Sequence, residues 1–432
     1  MTCLIIGHVD HNHARIWVRG GQREPFAYLN IRMHGAPWRR ALIMNLEERH
    51  FFTGVFEVDG LDPDTSFHCR VRFGNAPKLD ESQLTVPEDG EGSFTTKPVP
   101  GHHKPFSFLL GSCNLHSLGS VSKPGPAFAR IQELVEERDP AFVMYCGDQI
   151  YADIPRDPFP DDGHFRRKYL DAWDDCREMR RLLTRLPHYM ILDDHEIFND
   201  FANDVAHEQC DAVRDVAIKV YREFQHIHNP QTYGSEFLHY AFQHGQAHFF
   251  VMDTRSERYL ASGPQMIDRE QMDHFKQWLV GVGPNAYKFV VSSVPFVMDV
   301  VRSEDKWCGA SYVRQRNEVI DFIAQNQLHQ VVFLTGDMHC SYQAHMNVTS
   351  PAGDLVIHEL MSSPVNQLGK SKISKFEEDN PHTTPGGVSY QSRFDQFYSG
   401  HSNVMLVQVD QTVRYEIYRT KKRRAAECVG RI

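Results

Sequence analysis

The amino-acid sequence predicts an α/β fold preceded by a small β-sandwich, and three observations support this prediction. Short stretches of alternating apolar and polar residues dominate the chain up to residue 97. From residue 105 onward, apolar strands alternate with apolar residues at helical spacing. Acidic residues, glycines and histidines follow the ends of these strands. We therefore expect residues 1–97 to form the sandwich, 98–104 a linker, and 105–432 a separate α/β domain.

Four stretches of the first 97 residues have the period-two pattern of half-buried strands: 14–19, 28–33, 52–58 and 65–73. In the last of these, Phe67, Cys69, Val71 and Phe73 would share one face. The run of residues 61–67, Leu-Asp-Pro-Asp-Thr-Ser-Phe, resembles the corner of fibronectin type III domains. The sequence thus favours a sandwich of that kind at the N-terminus.

The strands expected after residue 105 are 106–110, 141–146, 189–192, 248–252, 288–291 and 331–334. Apolar residues at helical spacing predict helices through residues 128–135, 165–183 and 213–224. Residues 404–409 and 413–418 would close the domain as a hairpin. A chain that alternates strands and helices in this way is typical of an α/β sheet.

Composition excludes several classes of protein. Lys and Arg number 46 against 56 Asp and Glu, a formal charge of -10, which does not suit a general nucleic-acid binder or a protein of anionic membrane surfaces. No apolar run approaches the ~18 residues of a membrane span. The nine cysteines include no CxxC pair and predict no disulfide framework. With no secretory leader visible, we expect a cytoplasmic protein.

The residues that directly follow the strands are those that carry chemistry. They form six short motifs: Gly-Ser-Cys-Asn at 111–114, Gly-Asp-Gln-Ile-Tyr-Ala-Asp at 147–153, Asp-Asp-His-Glu at 193–196, Asp-Thr-Arg at 253–255, Ser-Ser-Val-Pro at 292–295 and Gly-Asp-Met-His at 336–339. In an open α/β sheet, ligands bind outside the carboxyl ends of the strands. These motifs should therefore converge on one site.

Carboxylates gathered in one cleft repel each other and take up protons, whereas metal ions hold them ionised. The candidate donors are Asp148, Asp194, Asp337 and His339, to which Cys113 and Tyr151 would add a thiolate and a phenolate. A phenolate oxygen suits a hard, highly charged ion such as ferric iron. The remaining acidic ligands suit a second ion such as calcium, manganese or magnesium.

The motifs at 111–113, 147–153, 193–196 and 336–339, in that order, resemble the alkaline phosphatase D family of metallophosphoesterases, relatives of the purple acid phosphatases. The resemblance implies a phosphate-ester hydrolase with ferric iron and calcium, where zinc, manganese or magnesium could replace calcium. It also implies a catalytic fold of four layers, α/β/β/α, after an N-terminal β-sandwich. By similarity, Cys113, Asp148 and Tyr151 would bind iron. Asp194, Asp337 and His339 would complete the metal set.

Hydrolysis of a phosphate ester by a metal-bound hydroxide requires the phosphate charge to be neutralised and the leaving alkoxide to be stabilised. We assign catalysis to Asp194, His195 and Arg255. His195 would stabilise the transition state or protonate the leaving group, and Glu196 would orient it. Arg255 and Asn114, together with His195, would contact the phosphate.

Other interpretations remain open at this stage. Instead of contacting the phosphate, Arg255 could form a structural ion pair with Asp253. The basic run at 421–424 is expected to be solvated rather than to bind phosphate-rich partners. For function, the alternatives are a metal-dependent amide or lactone hydrolase on a (β/α) barrel, and a non-catalytic metal-containing binding protein. The expected partner is a phosphate ester, and the sequence predicts no oligomeric state.

Overall fold

A computed structural model describes residues 1–119, 121–284, 286–369, 372–422 and 425–432. The first part of the chain forms antiparallel strands in two facing sheets, with strand orders β1-β2-β5 and β4-β3-β6-β7. These strands are β1 Leu4–Val9, β2 His13–Arg19, β3 Phe26–Met33, β4 Leu42–Asn45, β5 Thr53–Asp59, β6 Ser66–Gly74 and β7 Glu91–Thr95. The predicted stretches correspond to β2, β3, β5 and β6, whereas β1, β4 and β7 were not predicted.

The rest of the chain forms two larger sheets. The first has the order β10-β9-β8-β21-β22-β23, and the second has the order β11-β12-β13-β15-β17-β16-β20-β19. Their strands, with the separate pair β14 and β18, are β8 Phe106–Gly111, β9 Val143–Cys146, β10 His188–Ile191, β11 Tyr240–His244, β12 Ala247–Val251, β13 Tyr287–Val291, β14 Asp299–Val300, β15 Val331–Thr335, β16 Ser341–Ser350, β17 Gly353–Met361, β18 Phe376–Glu377, β19 His382–Thr383, β20 Ser389–Tyr398, β21 Asn403–Val409, β22 Val413–Arg419 and β23 Cys428–Arg431.

Each of the two large sheets contains a run of parallel strands. In the first sheet β8, β9 and β10 are parallel, and in the second β12, β13, β15 and β17 are parallel. Both sheets are open, since β10 and β23 lie at the edges of the first, and β11 and β19 at the edges of the second. A closed (β/α) barrel, one of the alternatives that the sequence left open, is therefore wrong.

Helices cover the outer faces of the two sheets. Their bounds are α1 Gly125–Arg138, α2 Asp162–Tyr169, α3 Arg177–Leu183, α4 Cys210–Phe224, α5 Arg269–Val282 and α6 Val313–Gln325. Side chains of β12 alternate between two cores: Phe249 faces the first sheet, at 5.6 Å from the ring of Phe108, whereas Phe250 packs on Phe275 of α5. The described residues thus form the α/β/β/α order of layers, which confirms the predicted fold class.

The helix predicted through residues 165–183 is interrupted rather than continuous. It consists of α2, a π-helical turn at Leu170–Asp174, and α3. The extended backbone of Cys176 ends the first helical run before α3 begins. The apolar residues nevertheless keep one buried side, because Phe165, Trp173 and Leu182 all lie in the main core.

The N-terminal sandwich packs tightly against the larger sheets. Trp17 of β2 is fully buried in their core, and its Nε1 donates a hydrogen bond of 2.8 Å to the carbonyl of Glu223. Arg19 forms an ion pair of 2.5 Å with Asp174.

We keep the division into residues 1–97, 98–104 and 105–432 as a proposal. Among the described residues, no helix is both long and apolar enough to cross a bilayer.

Lys97 follows the sandwich and is buried beside aromatic rings. Its Nζ lies 4.7 Å from the ring centroid of Phe242 and has no hydrogen-bond partner in the described part of the chain. Burial lowers the pKa of Lys97 to about 7, although the charge of Asp10 opposes this effect. Nearby His8 and His244 have lowered pKa values and stay neutral above pH 7.

We predict that Lys97→Met stabilises the protein at pH 7 by ~4 kcal/mol, because the unfolded lysine holds its proton up to a pKa of 10.5. The cost of burying Lys97 is complete below pH 7 and disappears as the pH rises toward 10.5. Urea unfolding of both proteins at pH 7, 8 and 9 should show the advantage of the variant shrinking by about 1.4 kcal/mol per unit. An advantage that did not change with pH would contradict this prediction.

Candidate metal and phosphate site

The site lies where the parallel strands of both sheets end. Strands β8, β9 and β10 lead into the motifs of Cys113, Asp148 and Asp194, and β15 leads into the motif of Asp337. The turns approach each other closely: a Cβ at Gly336 would lie 2.5 Å from Ser112 Oγ and 2.9 Å from the carbonyl of Cys146. Glycine is needed there because no side chain fits between the two sheets.

Asp148 is the centre of the first group of predicted ligands. The Cys113 thiol donates to Asp148 Oδ2 over 3.2 Å, and the Tyr151 hydroxyl donates to the same oxygen over 3.4 Å. All three residues are almost completely buried. Thiol, phenol and carboxylate, which lie in two separate motifs of the sequence, thus converge within contact of each other.

A second group overlaps the first. One potential ligand atom from each of Asp148, Asp194 and His195 lies within 4.8 Å of the others, which is close enough to hold a single metal ion. His195 had been assigned to catalysis and not to the metal set. The geometry therefore places the imidazole that was assigned to catalysis directly beside the proposed ligands Asp148 and Asp194.

Asp337 and His339 approach from the second sheet. The backbone N–H of His339 donates to Ser363 Oγ over 3.1 Å, and this hydroxyl donates to Cys113 Sγ over 3.2 Å. The carboxylate of Asp337 forms an ion pair with Lys306, a residue that the sequence analysis did not select. The charge of Asp337 also acts on the Cys113 thiol, so the two groups belong to one electrostatic site.

Several predicted ligands share an uncommon backbone conformation. Cys113, Asp148, Asp337 and His339 have φ values of 58°, 56°, 71° and 52°, in the left-handed region that non-glycine residues rarely occupy. Ten other described non-glycine residues also have positive φ, but these conformations cost about 1–3 kcal/mol each and tend to cluster at active sites. Their presence at four predicted ligands supports a functional role for this cluster.

Electrostatics disfavours the ionised forms of the buried donors when no cation is bound. Burial, assisted by the charges of Asp148 and Asp337, raises the pKa of the Cys113 thiol well above its usual value. Burial likewise raises the pKa of Tyr151 and of Asp148. A cation at Asp148 would reverse these shifts by favouring the ionised forms.

Charges on the other side of the cluster act differently. Burial raises the pKa of Asp194, but the charges of Arg255 and His195 outweigh it, so the pKa lies below its ordinary value. Burial lowers the pKa of His195, but the charges of Asp194 and Asp148 and a hydrogen bond to Asp153 raise it well above the usual range. The charges of Asp194 and His195 thus favour each other's ionised forms.

The position of Arg255 corrects its predicted role. Its side chain is fully buried, and Nε lies 2.5 Å from Asp193 Oδ1, while Nη1 and Nη2 lie 2.7 and 3.1 Å from the two oxygens of Asp305. Asp253 accepts a hydrogen bond from the backbone N–H of Arg255, not from its guanidinium. The structure therefore favours an ion pair with Asp193 and Asp305 over contact with substrate.

The partner of His195 is also different from the prediction. Its Nδ1 lies 2.8 and 3.0 Å from the two carboxylate oxygens of Asp153. Glu196 instead accepts hydrogen bonds from the backbone N–H groups of Asp148, at 3.0 Å, and Gln149, at 2.6 Å. Orientation of His195 by Glu196 is therefore wrong. Asp153 belongs to the same motif as Asp148 and Tyr151, so the sequence contained the residue but not its role.

Asn114 lies beside the cluster, where the sequence analysis expected it. It is fully buried, its backbone N–H donates to the carbonyl of Asp148 over 2.7 Å, and its Nδ2 donates to the carbonyl of Gln149 over 3.4 Å. Its Oδ1 has no partner in the described ranges. In the basic run at 421–424, Lys421 and Lys422 are exposed, and Arg423 and Arg424 lie outside the described residues.

Comparison with known proteins identifies relatives that are named as phosphatases. Alkaline phosphatase D of Bacillus subtilis (strain 168) is 24% identical over 382 residues, covering 76% of this chain and 61% of that protein. Purple acid phosphatase 23 of Arabidopsis thaliana is 24% identical over 208 residues, covering 45% of this chain and 39% of that protein. The chain thus spans about three fifths or less of the length of these curated relatives.

A solved structure described as the structure of PhoD superposes on the whole chain with a TM-score of 0.76, covering 88% of that protein at 18% identity. At this identity the likeness shows the fold alone. A sequence profile described as PhoD-like phosphatase matches residues 108–417, the region that carries all the motifs of the site. This match extends over well more than half of the sequence, and the chain therefore belongs to the PhoD-like phosphatase family.

Proposed function

We propose that the protein is a metal-dependent phosphoesterase whose reaction takes place at Asp148, Asp194 and His195. The observation that carries the proposal is the convergence of these three donors in one buried cluster, with Cys113 and Tyr151 in contact with Asp148. Membership of a phosphatase family and the printed names of its relatives support this assignment. The test is hydrolysis of a chromogenic phosphodiester and its loss on chelation.

The donor set fits the proposed ions. Cys113, Asp148 and Tyr151 would hold ferric iron, because a phenolate and a carboxylate suit a hard trivalent cation. Asp194, Asp337 and His339 would complete the site for calcium, or for manganese, magnesium or zinc in its place. Such ions supply Lewis acidity toward phosphoryl oxygens and lower the pKa of water. Elemental analysis of protein purified without added metal should find iron.

His195 is the proposed proton donor to the leaving alkoxide. Asp153 binds Nδ1 and fixes the ring, while the ring of Tyr151 packs against it at 4.1 Å between centroids. This arrangement leaves Nε2 as the nitrogen that can reach a substrate oxygen. Arg255 is proposed as a positioning residue, since it holds Asp193 and Asp305 around the cluster.

We predict that His195→Gln lowers kcat by ~10² to 10⁴-fold, the usual range for loss of a general acid. Asp153→Asn should cost less, about 10-fold, since it loosens the ring without removing it. Both effects should be larger for an alkyl leaving group, which needs the proton, than for a nitrophenyl group, which does not. Steady-state kinetics on the two ester types measures this difference.

The matched control is His345→Gln. His345 forms a similar pair with Asp395, at 2.8 Å, on β16 and β20 rather than at the strand ends of the site. It should leave both rates unchanged. A His195→Gln enzyme that lost alkyl and nitrophenyl hydrolysis equally would show that His195 does not protonate the leaving group. A fully metallated protein without any turnover would instead favour the non-catalytic binding protein.

A further inference from the structure

Lys306 occupies a position in the site that neither the motifs nor the relatives assign. Its side chain is only 8% exposed, and Nζ lies 2.5 Å from Asp305 Oδ2 and in contact with Asp337 Oδ2. Asp337 is a proposed metal ligand at the end of β15. A buried ammonium group is therefore held directly against the proposed metal cluster.

Asp305 does not need Lys306 as an ion-pair partner. Its two oxygens already accept from Arg255, at 2.7 and 3.1 Å, and it also pairs with Arg258. A third cation beside one carboxylate is repelled by the other two unless further negative charge is present. Asp337 supplies part of that charge, and Lys306 Nζ thus lies between the carboxylate of Asp305 and that of Asp337.

An ammonium group has three hydrogen-bond donors. The hydrogen bond to Asp305 uses one of them, and the ion pair with Asp337 occupies at most a second, which leaves at least one. Arg255 and Arg258 are both fully buried, with their guanidinium groups bound to Asp305 and to backbone carbonyls. Arg258 Nη2 has no hydrogen-bond partner among the described residues, but both arginine side chains are closed off from solvent, whereas Lys306 is 8% exposed beside a proposed metal ligand.

We propose that Lys306 is the cationic substrate contact of this site and donates its third hydrogen bond to a non-bridging phosphoryl oxygen. It takes the role that the sequence analysis had given to Arg255. A compact ammonium group suits a tetrahedral phosphate. It binds the phosphate as a point charge, without the fixed plane that a guanidinium group imposes on its partner. This inference rests on the proposed function, because it names the contact that holds the phosphate of the same reaction.

The test compares Lys306→Met and Lys306→Arg with the wild-type protein. Three quantities are measured: metal content, the Kd for inorganic phosphate by calorimetry, and KM and kcat for a chromogenic phosphodiester. Lys306→Met should weaken phosphate binding and raise KM by at least ~10-fold, the scale of one charged hydrogen bond, with metal content unchanged. Lys306→Arg should restore part of the affinity, since it keeps the charge.

Lys276→Met is the matched control, because Lys276 also pairs with a carboxylate, Glu318 at 2.5 Å, but on the outer helices. It should leave all three quantities unchanged. A metallated Lys306→Met protein with wild-type Kd and KM overturns the inference. So does a variant that loses metal but keeps the wild-type phosphate affinity per metallated site, which would make Lys306 a structural partner of Asp337.

The calorimetric Kd for inorganic phosphate tests this inference independently of the proposed phosphoesterase activity. A wild-type protein that hydrolysed no ester would refute the phosphoesterase, yet the Kd for inorganic phosphate would still be measurable. Weaker binding by Lys306→Met in that case supports Lys306 as the anion contact. A wild-type protein that binds no phosphate overturns the inference.

Discussion

Asp148→Asn is expected to remove both metal and activity, and it should have the largest effect of any single change in the site. Asparagine keeps the shape of the aspartate side chain but removes the negative charge of the carboxylate. Cys113 and Tyr151 contact Oδ2 of that carboxylate at 3.2 and 3.4 Å. Loss of contacts outside the ligands already costs 10- to 100-fold in metal affinity or activity. We therefore expect at least ~10²-fold lower phosphodiester hydrolysis, with less than one iron per chain by elemental analysis.

The stability of the metal-free protein should respond in the opposite direction. Burial raises the pKa of Asp148, which shows that its charge is costly in the absence of a cation. Removing that charge should leave the melting temperature of the metal-free protein unchanged or higher. Asp299→Asn provides the contrast, because Asp299 is buried and pairs with Arg316 at 2.5 Å outside the site. It should lower stability and keep the metal. An active, fully metallated Asp148→Asn protein would exclude Asp148 as a ligand.

The strand ends explain why much of the site was predictable from sequence. Parallel strands bring their carboxyl ends to one edge, so motifs more than 200 residues apart along the chain were expected to meet. Cys113 and Asp148 do meet at the ends of β8 and β9, and Asp337 approaches from β15. The glycines before Asp148 and Asp337 permit this meeting, because a Cβ at Gly147 would lie 2.9 Å from the backbone nitrogen of Asp193 and one at Gly336 would lie 2.5 Å from Ser112 Oγ.

The orientation of individual side chains was not predictable in the same way. His195 and Glu196 are neighbours on one 3-10 turn, Asp194–Glu196, where consecutive side chains point in different directions. His195 consequently faces Asp153, while Glu196 faces the backbone of Asp148 and Gln149. Adjacency in sequence suggested a partnership that the geometry of the turn prevents.

Long-range ion pairs were the least accessible to sequence reasoning. Arg255 pairs with Asp193, 62 residues away, and with Asp305, 50 residues away. No local spacing indicates such pairs, because they depend on the packing of loops from both sheets.

Helix α5 is a different case. Met272, Phe275 and Leu279 repeat at helical spacing and are all buried, so the sequence contained a helical pattern there that the sequence analysis did not use.

Tyr151→Phe separates a metal ligand from a packed tyrosine. The hydroxyl donates to Asp148 Oδ2 over 3.4 Å, and the ring packs against His195 at 4.1 Å. Phenylalanine keeps the ring contact and deletes only the oxygen. If the phenolate binds iron, charge transfer from the ring to the metal gives the wild-type protein a visible colour, to which the Cys113 thiolate adds. The variant should lose or shift this colour.

Activity and stability should then diverge in Tyr151→Phe. Loss of a metal contact should weaken iron retention and lower phosphodiester hydrolysis by at least ~10-fold. A tyrosine that only packs would instead lose one long hydrogen bond, and the free energy of unfolding would fall by about 1 to 3 kcal/mol if its buried partner is left unsatisfied. We expect the melting temperature of the metal-free protein to change little. Absorption spectra, iron content and rates measured on one preparation decide between the two, and a fully metallated variant with unchanged colour and rate would remove Tyr151 from the ligands.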